Sequence, residues 1–481
     1  MTELRKVLKL RTVISTSSGM AIATSCYLAG LQIATVLVGE LAWISVLVAG
    51  FFCFLSAMCF SELTEIYPSA AGIKLFIQHA FNEKVAIIIG MFYVVLGIAM
   101  VGAESYLLSS VLTSTIPLVG PVFDRYFWMF FFVFFVGYIN YRGVVITGIA
   151  QDIMTYVMIA FLVGVSVYSI AIHGVNVAAA AHSARFTPGN VIQAAAVGVF
   201  LFVGYEWVAP LAEETTDYKL IGAGMLWAIV ILTCTYALFT VGMYVGLTEE
   251  QIREQLSTGT PIPHIVFGRN LFGPVGAGFF VVMSVLASVT SFNSGLLNTS
   301  RFSYAMARDN VLPRVFSNLH PVHASPWVSI AFLALLSVVV SLLTLLTGQY
   351  FFLIMMAAAL ECFIYIVAAV CVIRLRRRFP DKERSFRVPL GHTIPIVVIV
   401  VFAGLLVGMF SDATRDYEGR VLFQNYWVAI AMGGFLLFTT AYTLTIVPIF
   451  KKKAAERASA RVKRRPGRQQ ASGDPAAPPD R

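Results

Sequence analysis

The hydrophobic positions of this chain fall in long unbroken runs rather than in stripes. Neither the three-to-four-residue spacing of a surface helix nor the alternation of a half-buried strand organises them. Each run approaches the roughly 20 apolar residues that a helix needs to cross the hydrocarbon core. In lipid a backbone must satisfy its own polar groups, so helix is the expected conformation. A transmembrane barrel would require short alternating strands. The pattern therefore predicts an all-α integral membrane protein with twelve transmembrane helices, near residues 12–36, 41–61, 85–113, 126–141, 149–172, 190–211, 220–246, 273–300, 327–346, 349–373, 393–411 and 424–449. They are numbered here as spans 1 to 12.

Two of these spans carry polar and helix-breaking residues at their centres. Span 1 reads ISTSSGMAIATSCY from Ile14 to Tyr27, with small and hydroxyl side chains in its middle. Span 6 reads FLFVGYEWVAPLAEET from Phe200 to Thr215 and holds Gly204, Glu206 and Pro210. Proline removes an amide donor and clashes with the preceding turn, and glycine weakens a helix further. Spans 1 and 6 are five apart. Transporters built from inverted five-helix repeats begin each half with a discontinuous helix and hold substrate where the two cross. Small residues also let helices pack closely. The coincidence with span 6 and its carboxylate favours a site between discontinuous helices 1 and 6.

Charge refines the topology. Only 12% of the 481 residues are charged, against 58% hydrophobic, and the mean hydropathy is +0.81. A soluble chain would carry about 25% charged residues. Of the 34 Lys and Arg, only Arg125, Arg185, Arg253, Arg269, Arg415 and Arg420 fall in odd-numbered loops. The rest lie in the terminal segments and even-numbered loops, which places both termini in the cytoplasm. The net charge of +9 comes from basic segments beside the membrane, at 374–378 and 451–468. Such segments suit anionic membrane lipid, and no nucleic acid partner is expected. The chain divides into a cytoplasmic N-terminal segment (1–11), a transmembrane transporter domain (12–449) and a basic disordered cytoplasmic tail (450–481) that lacks an apolar core.

Chemistry is sparse. The six cysteines form no CxxC pair, so neither a zinc site nor a disulfide framework is signalled. No HExxH, phosphate-cradling GxxxxGKS or zinc-spaced Cys/His set occurs. An enzyme, a cofactor and a bound metal are therefore not expected. A lone charge in mid-membrane is costly, so Glu206 must be paired, protonated or facing a wet cavity. Glu104 and Glu361 lie in apolar runs too. Asp152 and Lys74 sit near span ends, where charges can reach the interface.

Four passages resemble the amino acid–polyamine–organocation (APC) superfamily of permeases: SELTEIYPSAAGIKLFIQHAF after span 2, LFVGYEWVAPLAEET in span 6, SRFSYAMARDNVLPRVFSNLHPVHASP after span 8, and RRRFPDKERSFRVP between spans 10 and 11. The resemblance implies a LeuT-type fold, with inverted repeats at about 12–172 and 190–373 and two extra helices at about 393–449. It implies a secondary active transporter that moves an amino acid across the cytoplasmic membrane by alternating access, coupled to protons or to exchange. Carried over by motif, the substrate would meet Ile22, Ala23, Thr24 and Ser25 of span 1, and Phe200, Val203, Gly204 and Glu206 of span 6. Gly97, Met100, Val101 and Glu104 of span 3 are weaker candidates. Glu206 and Glu104 are the candidates for substrate or proton coupling.

Two departures bear on mechanism. Ala23-Thr24-Ser25 stands where the family often has Gly-Ser-Gly, so β-carbons narrow the approach to the amides that would hold a carboxylate. This keeps an amine or polyamine carrier in view, as does the set of three membrane carboxyls; a non-transporting sensor is a more distant reading. Met158 occupies the place of a span 5 lysine that stands in for sodium in some members. Ser288, Thr290 and Ser291 offer oxygen ligands for sodium, although packing is their plainer role.

Overall fold

The structure is a computed structural model that describes residues 6–23, 26–27, 41–175, 194–195, 197–257, 262–348, 350–411, 413–415 and 421–463. Among the described residues, ten helices are long and apolar enough to cross a membrane. They are Ala42–Ile66, Glu83–Thr115, Pro121–Tyr141, Val144–His173, Lys219–Val245, Pro263–Arg308, Trp327–Thr347, Tyr350–Arg378, Thr393–Ser411 and Tyr426–Lys463, and they coincide with spans 2–5 and 7–12. The chain is a multi-pass membrane protein.

Local chemistry sets several ends. The Asn82 side chain accepts from the Val85 amide at 3.0 Å and caps span 3. Pro121, at the first turn of span 4, forfeits only an amide that would have had no helical partner. Span 3 lies at the centre, with 78% of its most apolar stretch buried, whereas span 12 is peripheral at 17%. Outward-facing side chains such as Phe134, Leu346 and Leu437 remain exposed, as lipid contact allows.

Spans 1 and 6 differ from the rest as expected. Among the described residues, span 1 is helical over Leu10–Ala21, breaks at Ile22 and Ala23, and is helical again at Cys26 and Tyr27. Span 6 passes from helix at 197–200 through a turn into a 3-10 helix, Tyr205–Glu213.

Three details depart from expectation. The helix of span 8 is joined to an extra segment that starts at Pro263, across a kink at Phe272 and Gly273 followed by Pro274. The backbones of Gly268 and Gly276 meet across this kink, where a β-carbon on Gly276 would lie 2.0 Å from the Gly268 carbonyl oxygen. Span 12 runs on to Lys463, so the first part of the tail expected to be disordered is helical; its sequence, AAERASARVK, is rich in strong helix formers. Residues 464–481 lie outside the described residues. A short antiparallel pair, Ala413–Arg415 with Val421–Gln424, joins spans 11 and 12.

The four passages that resemble the permeases meet one another on the face that bears the basic loops. Glu62 receives Arg376 through Nη2 at 2.5 Å and Nε at 2.9 Å, lies 3.2 Å from Arg384 Nε, and accepts from the Val388 amide at 2.8 Å. Glu213 accepts from Arg308 at 2.8 and 3.1 Å and from the Ala70 amide at 2.9 Å. Glu214 pairs with the fully buried Arg301 at 3.1 Å. Lys74 does not reach for solvent; it is buried and paired with Asp309.

Candidate functional site

Span 1 breaks where its hydroxyl-rich centre meets donors from neighbouring helices. Ile22 leaves helical geometry (φ −79°, ψ 90°), and its amide makes the last turn to the Ser18 carbonyl. The final carbonyls of a helix have no partner within it. Here Met20 O accepts from Ser291 Oγ of span 8 at 2.9 Å, and Ala21 O accepts from Tyr236 Oη of span 7 at 2.7 Å. Cys26 Sγ also donates to Ala21 O at 3.0 Å.

Span 6 breaks against this point. Gly204 adopts φ +107°, a left-handed conformation that glycine accepts without steric cost. A β-carbon on Gly204 would lie 2.2 Å from Met20 Cγ, so the two interruptions touch. The nine-residue 3-10 helix that follows is long for its type. Pro210 within it lacks the amide that an α-helix would donate to the Glu206 carbonyl. Ser17 Oγ donates to Tyr205 O at 2.5 Å and ties the two spans together beside the break.

The candidate residues Ile22, Ala23, Phe200, Val203 and Glu206 are all buried around this crossing. Thr24 and Ser25 lie outside the described residues. Glu104 is buried and accepts from Ser288 Oγ at 3.1 Å. It lies near Tyr27 and Tyr236, on the side of the span 1 break. Glu206 turns the other way, towards Glu361 of span 10 and Tyr365, whose hydroxyl is 3.5 Å from Glu206 Oε2. The three membrane carboxyls thus form two groups, not one. Gly97 serves close packing, since a β-carbon there would crowd Thr299 and Trp207. Met100, Val101 and Met158 are buried. Of the three span 8 hydroxyls, Ser288 and Ser291 bridge to Glu104 and Met20, whereas Thr290 bonds its own helix at Ala287 O.

Tyr236 and Tyr365 carry polar roles that sequence reading did not assign. Each is a single tyrosine in an apolar run, and only packing shows which hydroxyl meets a freed carbonyl or a carboxyl. Among the described residues, no group of three His, Cys, Asp or Glu side chains could hold a metal ion. What the crossing offers instead is freed backbone dipoles and carboxyls in a medium of low dielectric, where such groups act strongly.

The family profile described as amino acid permease matches residues 8–449. Among similar proteins of Bacillus subtilis, a branched-chain amino acid permease is 25% identical over 76% of this chain and 80% of its own length. A methylthioribose transporter is 23% identical over 89% and 92%, and a serine/threonine exchanger is 22% identical over 74% and 80%. Among solved structures, MhsT in complex with L-phenylalanine superposes with a TM-score of 0.58 at 10% identity, covering 84% of this chain and 99% of that one. The chain has the LeuT-type fold.

Proposed function

Because the chain belongs to the amino acid permease family, we propose that it carries an amino acid across the cytoplasmic membrane by alternating access, driven by protons or by exchange. The observation that carries this reading is the contact between the two interrupted helices, Gly204 against Met20, at the crossing of spans 1 and 6. In this reading Ile22, Ala23, Thr24 and Ser25 present amides to the substrate carboxylate. Val203, Gly204 and Glu206 face its amine, and Phe200 closes over it. The basic loops lie in the cytoplasm, so both termini do as well. The named substrates of the Bacillus relatives, branched-chain amino acids and serine or threonine, support a neutral amino acid.

A second reading, an amine carrier, is favoured by one observation. The central layer holds three buried carboxyls, Glu104, Glu206 and Glu361, and cations pair with carboxylates. The two readings separate in a thermal-stability screen of purified protein against L-leucine, L-serine and their decarboxylated amines. A ligand at a hundred times its Kd stabilises the folded state by about 2.7 kcal/mol. A shift with the amino acids alone supports carboxylate recognition at span 1; a shift with the amines alone overturns it. Glu206→Gln should cut uptake of the stabilising compound at least tenfold while the protein stays folded and inserted, and normal pH-dependent uptake by that variant would remove Glu206 from the mechanism.

A further inference from the structure

Glu206 and Glu361 face each other in the core, 1% and 0% exposed. Among the described residues, the one hydroxyl that reaches the pair is Tyr365 Oη, 3.5 Å from Glu206 Oε2 and beside Glu361. Among the described residues, Glu206 Oε1 and both oxygens of Glu361 have no partner at hydrogen-bond geometry. The described titratable groups facing the pair are Cys53 of span 2, Tyr93 of span 3, Tyr205 of span 6, and Cys362 and Tyr365 of span 10. None of these is a cation. Two carboxylates side by side in a dry interior cannot both ionise, and a buried unpaired charge is costly. A proton held between the two carboxyls would supply the donor that these oxygens lack.

We propose that Glu206 and Glu361 form a carboxyl pair that binds an exchangeable proton, a cation site separate from the span 1 break. One proton is held between the two carboxyl groups, and the exchangeable proton is a second one. With a second proton the pair is neutral, and on losing it the pair becomes a monoanion with one shared hydrogen bond. Its location makes the site consequential. Glu206 is two residues from Gly204, and the intervening Tyr205 carbonyl receives Ser17 of span 1. Glu361 belongs to span 10, outside the crossing. Binding or loss of the proton therefore changes the attraction between the interrupted segment and a neighbouring span, at the hinge that alternating access must move. The proposal deepens the transport reading by naming the coupling partner of Glu206, and it rests on that reading only for its link to flux.

Infrared difference spectroscopy of the purified protein in lipid tests the site without any substrate. Wild-type minus Glu361→Gln, and wild-type minus Glu206→Gln, should each show the carbonyl band of a buried protonated carboxyl, and its amplitude should fall as pH rises. Glu361→Asp, which keeps a carboxyl, should retain a titrating band and guards against a glutamine variant that fails to fold. No such band, or a band that does not respond to pH, overturns the proposal; a static band would mark a structural hydrogen bond only. Proteoliposomes with an internal pH dye then test coupling. Addition of L-leucine should move protons in wild type and at least tenfold fewer per leucine in Glu361→Gln. Equal proton movement per leucine in the variant also overturns the proposal. If no amino acid moves through wild type but a cationic amine does, and the band is replaced by amine binding at the pair, the transport reading and the proton assignment fail together; a titrating band without amino acid flux separates the two.

Discussion

At the scale of single residues, Gly204 answers to two constraints at once. Its φ of +107° costs other residues about 1–2 kcal/mol, and its missing β-carbon leaves room for Met20. Gly204→Ala should therefore lower the thermal midpoint by the equivalent of about 1–2 kcal/mol. Adding Met20→Ala should recover the part due to crowding and leave the part due to φ. A wild-type midpoint for Gly204→Ala would contradict this account. The glycine, the proline and the carboxylate of span 6 were each visible in the sequence. Which carboxyl would answer Glu206 was not, because Glu361 lies in another apolar run with no spacing that relates the two.

At the scale of elements, the conspicuous polar passages turn out to be one another's partners. The segment after span 10 docks onto the end of span 2 through Glu62, Arg376 and Arg384, with the Phe386 amide on Glu65 at 2.6 Å. Removing one partner of a buried pair typically costs about 3–5 kcal/mol. Arg376→Ala should lower the thermal midpoint strongly and expose residues 379–389 to limited proteolysis; an unchanged cleavage pattern would argue against docking through Glu62. The Glu213 contact is weaker and partly exposed. Burial alone would raise its carboxyl, but hydrogen bonds from Arg308 and the Ala70 amide, with the charge of Arg308, hold it below the ordinary range. The ionised form is the one favoured by folding. Its contribution is thus complete above the unfolded value of about 4.3 and is lost as pH falls through the depressed folded value. With exposed pairs worth about 1 kcal/mol or less, Glu213→Gln should slightly flatten the acid limb of a stability profile. A limb as steep as in wild type would mean that Glu213 does not contribute to it.

At the scale of the whole molecule, the first half of span 1 is latched to span 5. Asp152 accepts from Thr12 at 3.0 Å and Ser15 at 2.5 Å and pairs with Arg11 at 3.1 Å, so it does not act as a free interfacial charge. Gln151 and Thr155 both donate to the Ser15 carbonyl, and Asn293 links Gln151 onward to Asn140. Residues 7 and 8 also bond the Glu214 carbonyl, at 2.9 and 3.0 Å. In the alternating-access reading, opening on the basic-loop face breaks these contacts. Asp152→Asn should weaken the latch and shift the population towards an opened state. The fully buried Ser18, whose hydroxyl has no partner among the described residues, is a suitable reporter. Labelling of Ser18→Cys by an impermeant maleimide should speed up several-fold in the Asp152→Asn background, and an equal rate would show that this carboxylate does not hold the face shut.

The sequence by itself determined the ten long spans that the structure describes and the polar interruptions of spans 1 and 6, because those follow from rules that act along the chain. A bilayer imposes length and hydropathy on every crossing, and proline and glycine act on their own turns. Even the ends of span 8 and span 12 were missed only by extension, where a kink was bridged at Gly273 and a helix-forming tail ran on. Tertiary structure alone decided the pairings: Lys74 with Asp309, Glu214 with Arg301, Tyr236 with the Ala21 carbonyl, Glu206 with Glu361. The partners come from distant segments, and their meeting depends on how helices rotate and cross. Local propensity and hydrophobic period do not encode that rotation. It is fixed when packing and the need to satisfy buried polar groups are met across all the helices together.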